Sequence, residues 1–358
     1  MHEAFSFPAK LEQLPPQHII REEQRCDSDK ELVVVITKDN LPTLRRTLST
    51  HCQMFSRHMI VLDDSTNSLT KRFVQSHFRG RVGYHGQLEQ LQLLEELRLD
   101  GLRRFISMLG ERGWTLGFCR NYAVFLALVL GFEYILMLDD DILVEDPRMI
   151  DESFRLLRRY GVVGAKTIGI PDDSIIGHLA RCVGPPQYDY ITGQYCGLSL
   201  GSIAYPFPNF YNEDLIFYAF QGQGEKFARC GQVRQLERKA RRALCLDDTL
   251  RFQEEGEIAL IGAVEAIETG DTSLLVENRF WSTILSDRID ELRELDMRLR
   301  DKHQSRPHIF RTLYEYNHDK KPAQFVSFFQ GYLDSINLWR NLFLRVPKKE
   351  IIQSTRTV

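Results

Sequence analysis

Four short clusters carry the residue types that chemistry needs. Asp139, Asp140 and Asp141 follow the apolar run Tyr134–Leu138. Adjacent carboxylates repel, and keeping all three ionised is costly unless a cation is present. A hard divalent ion with oxygen ligands relieves that repulsion and also takes phosphate oxygens. The alternative is a solvated acidic turn that caps the next helix. Asp63 and Asp64 end a second apolar run, His58–Leu62. A carboxylate there can accept from a base N–H or from ribose hydroxyls, although Asp-Asp-Ser is also an ordinary helix N-cap. Arg120-Asn121 precedes an Ala/Leu-rich stretch, and a guanidinium at a helix start suits phosphate. Asn212-Glu213-Asp214 follows the aromatic run 205–211. Two carboxylates beside an apolar wall are a source of a general base, or else a capped helix start.

The elements that would hold these clusters are legible around them. Glu31–Thr37 is a continuous β-branched run, the pattern of a strand buried on both faces. A helix follows over 41–53, with Pro42 in its first turn. His58–Asp63 reads as a strand and 69–77 as a helix, so β-α-β-α fills the first part of the core and a parallel sheet follows. Residues 84–113 read as a helical insertion, with Leu88, Leu91, Leu94, Leu97, Leu102, Phe105 and Ile106 at helical intervals. A helix is expected over 120–130, ended by Gly131. It is followed by the strand 134–138, a helix over 149–160 and a strand over 162–166. Residues 177–208 read as a long irregular loop with one or two short strands. Beyond Asp214 the texture becomes helical. Leu285, Ile289, Leu292, Leu295 and Leu299 form one stripe, and Phe325, Phe328, Phe329, Tyr332, Ile336 and Trp339 another. The expected organisation is an arm over 1–30, an α/β region over 31–222 and a mainly helical region over 223–358.

Composition narrows the classes. The chain has 358 residues, 43% hydrophobic and 27% charged, which excludes collagen-like, coiled-coil and disordered sequences. Lys and Arg number 46 against 49 Asp and Glu, for a net charge of −3. There is no basic excess of the kind nucleic-acid binders show, so no nucleic-acid partner is expected. The 7 cysteines form no CxxC pair and suggest neither a zinc ribbon nor a disulfide scaffold. No secretory pattern opens the sequence, and the stretch 122–138 is too short and broken for a membrane span. The expected location is cytoplasmic, with peripheral attachment at the inner membrane face left open. The basic stretch Lys226, Arg229, Arg234, Arg238, Lys239, Arg241 and Arg242 reads first as a solvated helix face. The last helix, followed by Arg345, Lys348 and Lys349, permits an interfacial membrane contact or a homodimer. Packing against the rest of the chain explains it equally well and is the default.

The order of the four clusters adds to what each says alone. Strand–TKDN–helix, strand–DDS–helix, an RN helix, strand–DDD and an aromatic loop with NED resembles the GT-A glycosyltransferases, most closely their family-2-like members. The matching stretches are VVVITKDNLPTLRRTL (34–48), MIVLDDSTN (59–67), LGFCRNYAVFLALVLGFEYILMLDDDILVEDP (116–147) and YNEDL (211–215). The likeness covers about residues 31–220 and is most specific where the RN helix joins the DDD strand.

The resemblance implies an α/β GT-A fold, a Rossmann-like, mostly parallel sheet flanked by helices, with a helical region after it. It implies a transferase of the hexosyltransferase type. The donor would be a nucleotide-diphosphate sugar, a UDP-sugar on family frequency, with Mn²⁺ or Mg²⁺ as cofactor. Thr37 and Asp39 would contact the nucleotide, Asp64 the base or ribose, and Arg120 the diphosphate. Asp139 and Asp141 match the spaced carboxylates that meet the ribose, sugar and metal, and a shift of one residue would bring in Asp140. Asp214, with Glu213 beside it, matches the acid that deprotonates an acceptor hydroxyl in inverting members. A histidine ligand found beyond that motif in some relatives has only His303, His308 and His318 as distant counterparts. Two other readings stand beside this one. One is a sugar nucleotidyltransferase, although the loop 37–40 lacks the glycines such enzymes use. The other is a non-catalytic GT-A-like binding protein.

Overall fold

A computed structural model describes residues 11–12, 28–54, 57–65, 67–96, 116–168, 175–184, 191–223, 227–236 and 246–345. Its strands are Leu11–Glu12 (β1), Glu31–Thr37 (β2), His58–Asp63 (β3), Val82–Gly86 (β4), Tyr134–Asp139 (β5), Ile142–Leu143 (β6), Val162–Ile168 (β7), Tyr195–Ser199 (β8) and Phe227–Gln235 (β9). Its helices are Leu41–Met54 (α1), Leu69–His77 (α2), Gln87–Glu96 (α3), Leu116–Val129 (α4), Arg148–Leu157 (α5), Ile175–Val183 (α6), Glu213–Gln221 (α7), Leu246–Glu268 (α8), Asn278–Asp301 (α9), Pro307–Asp319 (α10) and Pro322–Arg345 (α11).

One mixed sheet runs β1-β9-β7-β8-β5-β2-β3-β4, with β6 paired to β9. The β5-β2-β3-β4 half is parallel, and β8 lies antiparallel between β5 and β7. β2 is buried along its whole length, as its unbroken β-branched run requires. Alternate residues of β2 enter different cores. Leu32, Val34 and Ile36 join the cluster beneath α4, whereas Val33 and Val35 meet α1 and α5 on the other face. This is the GT-A-like α/β arrangement that the sequence implies.

The structure revises several local expectations. A strand, Val82–Gly86, occupies the start of the expected helical insertion and forms the sheet edge. α3 follows it, and residues 97–113, with Leu97, Leu102, Phe105 and Ile106, lie outside the described residues. The stretch 177–208 holds a short strand, β8, as expected, but also overlaps a helix, α6. Arg229 and Arg234 sit on β9 rather than on a helix face, and Arg234 Nε donates to Glu145 at 2.7 Å. Lys226, Arg238, Lys239, Arg241 and Arg242 are outside the described residues, as is the expected arm apart from residues 11–12 and 28–30.

The helical region is fastened to the sheet. Tyr332 Oη donates to the Pro206 carbonyl at 2.9 Å, and Trp339 enters the cluster beneath α4. Helix α7 is shared: Phe217 and Tyr218 pack with the sheet core, while Ile216 and Phe220 pack with α8, α9 and α11. The apolar stripe of the last helix is therefore covered within the chain. No helix among the described residues is long and apolar enough to cross a membrane.

Candidate active site

Strand register brings the acidic clusters together. β2 lies between β3 and β5, with Thr37 opposite Asp63 and Ile36 opposite Asp139. At about 4.8 Å per strand, the two acidic ends flank the tip of β2 on the same edge of the sheet. The backbone ties them there. Asp64 N–H donates to the Thr37 carbonyl at 2.9 Å, and Asp140 N–H to that of Ile36 at 3.0 Å. A cavity of about 520 Å³ opens over these tips. Asp64, Asp139, Asp140, Glu213 and Asp214 line it, together with the cations Lys38 and Arg120. Four clusters separated by up to 150 residues of chain thus share one wall.

The first tip divides its two acids. Asp63 Oδ1 accepts the Ser65 N–H at 2.9 Å and Oδ2 accepts the Tyr84 hydroxyl at 2.8 Å, so Asp63 holds the turn. Asp64 faces the cavity. Its Oδ2 meets Lys38 Nζ at 2.5 Å and its Oδ1 accepts from Gln87 Nε2 at 2.9 Å. Asp39 is exposed, at φ +49°, and does not line the cavity. Its N–H donates to Ser65 Oγ at 2.6 Å and its Oδ1 accepts from Asn67 at 3.1 Å, which joins the loops after β2 and β3.

The second tip splays its three acids: Asp139 ends β5, whereas Asp140 and Asp141 occupy the turn before β6. Asp140 turns toward the loop after β2, where Oδ2 accepts from Thr37 Oγ1 at 2.6 Å and Oδ1 from Asn40 Nδ2 at 2.8 Å. Asp141 is fully buried and absent from the cavity wall, with Oδ2 accepting from Gln235 Nε2 at 3.2 Å. Asp139 is the most exposed of the three, at 8% against 2% for Asp140.

Arg120 joins Asp139 to the last cluster. α4 begins at Leu116, so Arg120 lies in its second turn rather than at its start, and it is 1% exposed. Its guanidinium pairs with Glu213 and lies 3.6 Å from Asp139. Its buried Nε donates to no described residue. Burial opposes the charge on Arg120, but Glu213, Asp139 and Asp214 outweigh it and hold the guanidinium above the ordinary arginine range. Burial raises the Glu213 carboxyl to about 8, Asp214 adding to the rise and Arg120 opposing it. Three carboxylates thus lie around one guanidinium, and burial disfavours the charged form of Glu213.

Asp214 is oriented by backbone. Its Oδ2 accepts the Gly193 N–H at 2.6 Å and its Oδ1 that of Leu215 at 2.9 Å. The turn at 193 must be glycine for this. A Cβ there would lie 2.6 Å from Arg120 Nη1 and 2.6 Å from the Asp214 Cβ. Asn212 occupies the N-cap position at φ +63° without a side-chain capping bond, so the acids at the start of α7 are not accounted for by a capping motif.

A divalent cation is tested by the donors present. Among the described residues, no three Asp, Glu, His or Cys side chains converge as an all-protein cage. Such a cage is not needed for Mg²⁺ or its like, which are commonly held by one or two carboxylates plus substrate phosphates. Asp139, open to a cavity richer in carboxylates than in cations, fits that one-carboxylate pattern. Asp141 would have to turn away from Gln235 to contribute. His303, His308 and His318 do not line the cavity; His308 pairs with Asp247 at 3.0 Å in the helical region.

The described tyrosines of the stretch 177–208 lie elsewhere. Tyr195 is in the core, hydrogen-bonded to Ser153 at 2.6 Å, and Tyr205 packs on Phe220. Tyr188 and Tyr190 are outside the described residues. Burial raises the thiols of Cys119, and of Cys196 to about 12, which leaves neither a nucleophile. Tyr211, the end of the aromatic run and the start of YNEDL, is also part of the cavity wall, and the cavity has walls that sequence did not point to: Lys38, Gln235 and, from α8, Phe252. Lys38 sits inside the TKDN segment and could have been read there. The other two belong to no local motif.

No family model matches the sequence, and no curated protein matches it. Solved structures similar to this chain include a mannosyltransferase from Pyrobaculum calidifontis in complex with GDP-Man and Mn²⁺. It is 14% identical, with 89% of this chain and 85% of that one covered and a TM-score of 0.44. Glucosyl-3-phosphoglycerate synthase from Mycobacterium tuberculosis, in complex with Mn²⁺, UDP-glucose and phosphoglyceric acid, is also 14% identical. Coverage is 68% of this chain and 80% of that one, at a TM-score of 0.42. A 4-diphosphocytidyl-2C-methyl-D-erythritol synthase from Anaerococcus prevotii is 12% identical, over 64% of this chain and 96% of that one, at 0.33. At these identities and scores, none of the likenesses identifies an activity.

Proposed function

We propose that this protein is a glycosyltransferase that moves a sugar from a nucleotide-diphosphate donor to a hydroxyl acceptor. The observation that carries the reading is the shared cavity: sheet-borne Asp64 and Asp139 face helix-borne Glu213 and Asp214 across Arg120. Asp64, with Lys38 and Gln87 around it, suits the base and ribose end of the donor. Thr37 lies beside it and fixes Asp140, while Asp39 braces the two loops. Asp139 suits the sugar–phosphate end. A divalent cation bound there would offset charge on the leaving phosphates as a Lewis acid. Arg120, close behind Asp139, holds positive potential at the same end.

Asp214 is the base in this reading. Its carboxylate takes the proton of the acceptor hydroxyl as the oxygen attacks the anomeric carbon. The bond to the phosphate oxygen breaks, and the nucleoside diphosphate leaves with the electron pair. One such displacement inverts the centre. General-base help of this kind is worth about 10²–10⁴-fold.

The test screens UDP, GDP, CDP and dTDP with Mn²⁺ by thermal shift, then follows nucleotide release from the matching nucleotide sugar. One nucleotide should stabilise the protein by mass action. Release of the diphosphate supports the transferase, whereas release of pyrophosphate from a nucleoside triphosphate would make it a nucleotidyltransferase. Asp214→Asn should lose at least about 100-fold in turnover while nucleotide stabilisation is retained. Loss of the stabilisation instead would remove Asp214 from the base role.

A further inference from the structure

We propose that Phe252 and Tyr211 form a platform for the sugar ring of a neutral oligosaccharide acceptor. This rests on the glycosyltransferase reading and names the class of its second substrate.

Phe252 is 42% exposed, high for a phenylalanine, although it lies on a helix whose opposite face is deep in the helical core. It lines the same cavity as Asp214 and stands edge-on to Tyr211, ring centroids 5.6 Å apart. Its position is fixed. Gly256 lies one turn further along α8, on the same face, and a Cβ there would lie 2.4 Å from the Tyr211 carbonyl oxygen. The bare Cα lets the helix seat against the very loop that leads into Glu213 and Asp214. The ring is thus locked to the candidate base but left out of the core.

The chemistry of the wall selects the ligand. Aromatic faces take the C–H face of a sugar ring, and the polar residues Asn209 and Asn212 are among those lining the cavity beside them. Among the described residues lining the cavity, the cation beside Asp214 is Arg120, already paired with Glu213, so an acceptor bearing its own phosphate or carboxylate would meet the carboxylates Glu213 and Asp214. A second cavity of about 310 Å³ shares Phe252 and carries Asp248, Glu255, Arg251 and Lys320, a balanced set. Phe252 stands between the two cavities, so the acceptor is longer than one ring.

The experiment titrates the full chain with maltotetraose, cellotetraose, mannotetraose and xylotetraose, and with the corresponding monosaccharides. Saturation-transfer NMR gives the contact and the dissociation constant. Wild type should bind at least one tetraose more tightly than its monosaccharide. Phe252→Ala should weaken that binding about three- to ten-fold, the size expected for loss of one aromatic contact, and Phe252→Trp should restore it. The melting temperature of Phe252→Ala reports whether the fold survives. Equal binding by a folded Phe252→Ala, or no tetraose bound by wild type, overturns the platform. The nucleotide screen on wild type is independent, so its failure would strike the donor reading and leave the oligosaccharide result to stand by itself.

Discussion

The two acidic strand ends divide their carboxylates in the same way. After β3, Asp63 holds Ser65 and Tyr84 while Asp64 faces the cavity. After β5, Asp140 holds Thr37 and Asn40 while Asp139 is the more open to the cavity. They differ in counter-charge. Asp64 is met by Lys38, whose side chain is 52% exposed and can move aside. Asp139 is met by Arg120, which is buried and committed to Glu213 as well. The first end can trade its partner for a ligand at small cost. The second is part of a buried network in which removing one member strands the others. A run of acids therefore does not count ligands; it mixes anchors with contacts.

Breaking the buried side should cost most. Arg120→Leu leaves Glu213 enclosed without its cation, and about 3–5 kcal/mol of stability should be lost in urea unfolding. A loss under about 1 kcal/mol would mean that the network is not buried in solution. Acid should reach the β5 end next, through His51. This ring is fully buried, and its Nε2 accepts the Val144 N–H at 3.2 Å, just beyond that tip. Burial lowers its pKa from 6.5 to about 4. The native state thus favours the neutral ring, whose contribution is full above pH 6.5 and is lost as pH falls toward 4. The loss is at most about 3 kcal/mol, and His51→Gln should flatten that part of the stability–pH curve. Asp140→Ala comes after, with about 2–3 kcal/mol lost along with its two hydrogen bonds. Asp139→Asn, which leaves Arg120 its pair with Glu213, should cost less stability than Asp140→Ala while abolishing the Mn²⁺-dependent part of nucleotide stabilisation. If Asp140→Ala were the neutral change and Asp139→Asn the destabilising one, the assignment of anchor and contact would be reversed. Smallest is Lys38→Met, at about 1 kcal/mol: Lys38 is half-exposed, and the buried Asp64 keeps its bond from Gln87.

How much of this was legible follows from the kind of signal each residue leaves. β2, β3, β5 and β7 announce themselves as apolar runs between polar turns. β4 reads VGYHG and only its ends are buried, because it lies at the sheet edge. β9 alternates buried Phe227, Cys230 and Val233 with Arg229, Gln232 and Arg234, and the arginines suggested a helix face. α4 was expected at Arg120 but starts at Leu116. Gly117 lies inside its first turn, where a Cβ would lie 2.2 Å from the Pro208 carbonyl oxygen. In the site, the acidic clusters and Arg120 were visible as types. Which acid of each run faces inward was not, since that depends on strand phase and on partners such as Asn40, Tyr84 and Gln235. Gly193 and Phe252 carry no local signal at all. Their roles exist only once distant segments meet.

Helix α7 is wedged between two cores, with Phe217 and Tyr218 in one and Ile216 and Phe220 in the other. A chain truncated after residue 236 would keep every strand and every acidic tip described above. It would nonetheless bare Ile216 and Phe220 to water, loosen the helix that starts with Glu213 and Asp214, and strip one side from the cavity. The tail that bears no recognisable motif is what makes the corner beneath it a closed vessel.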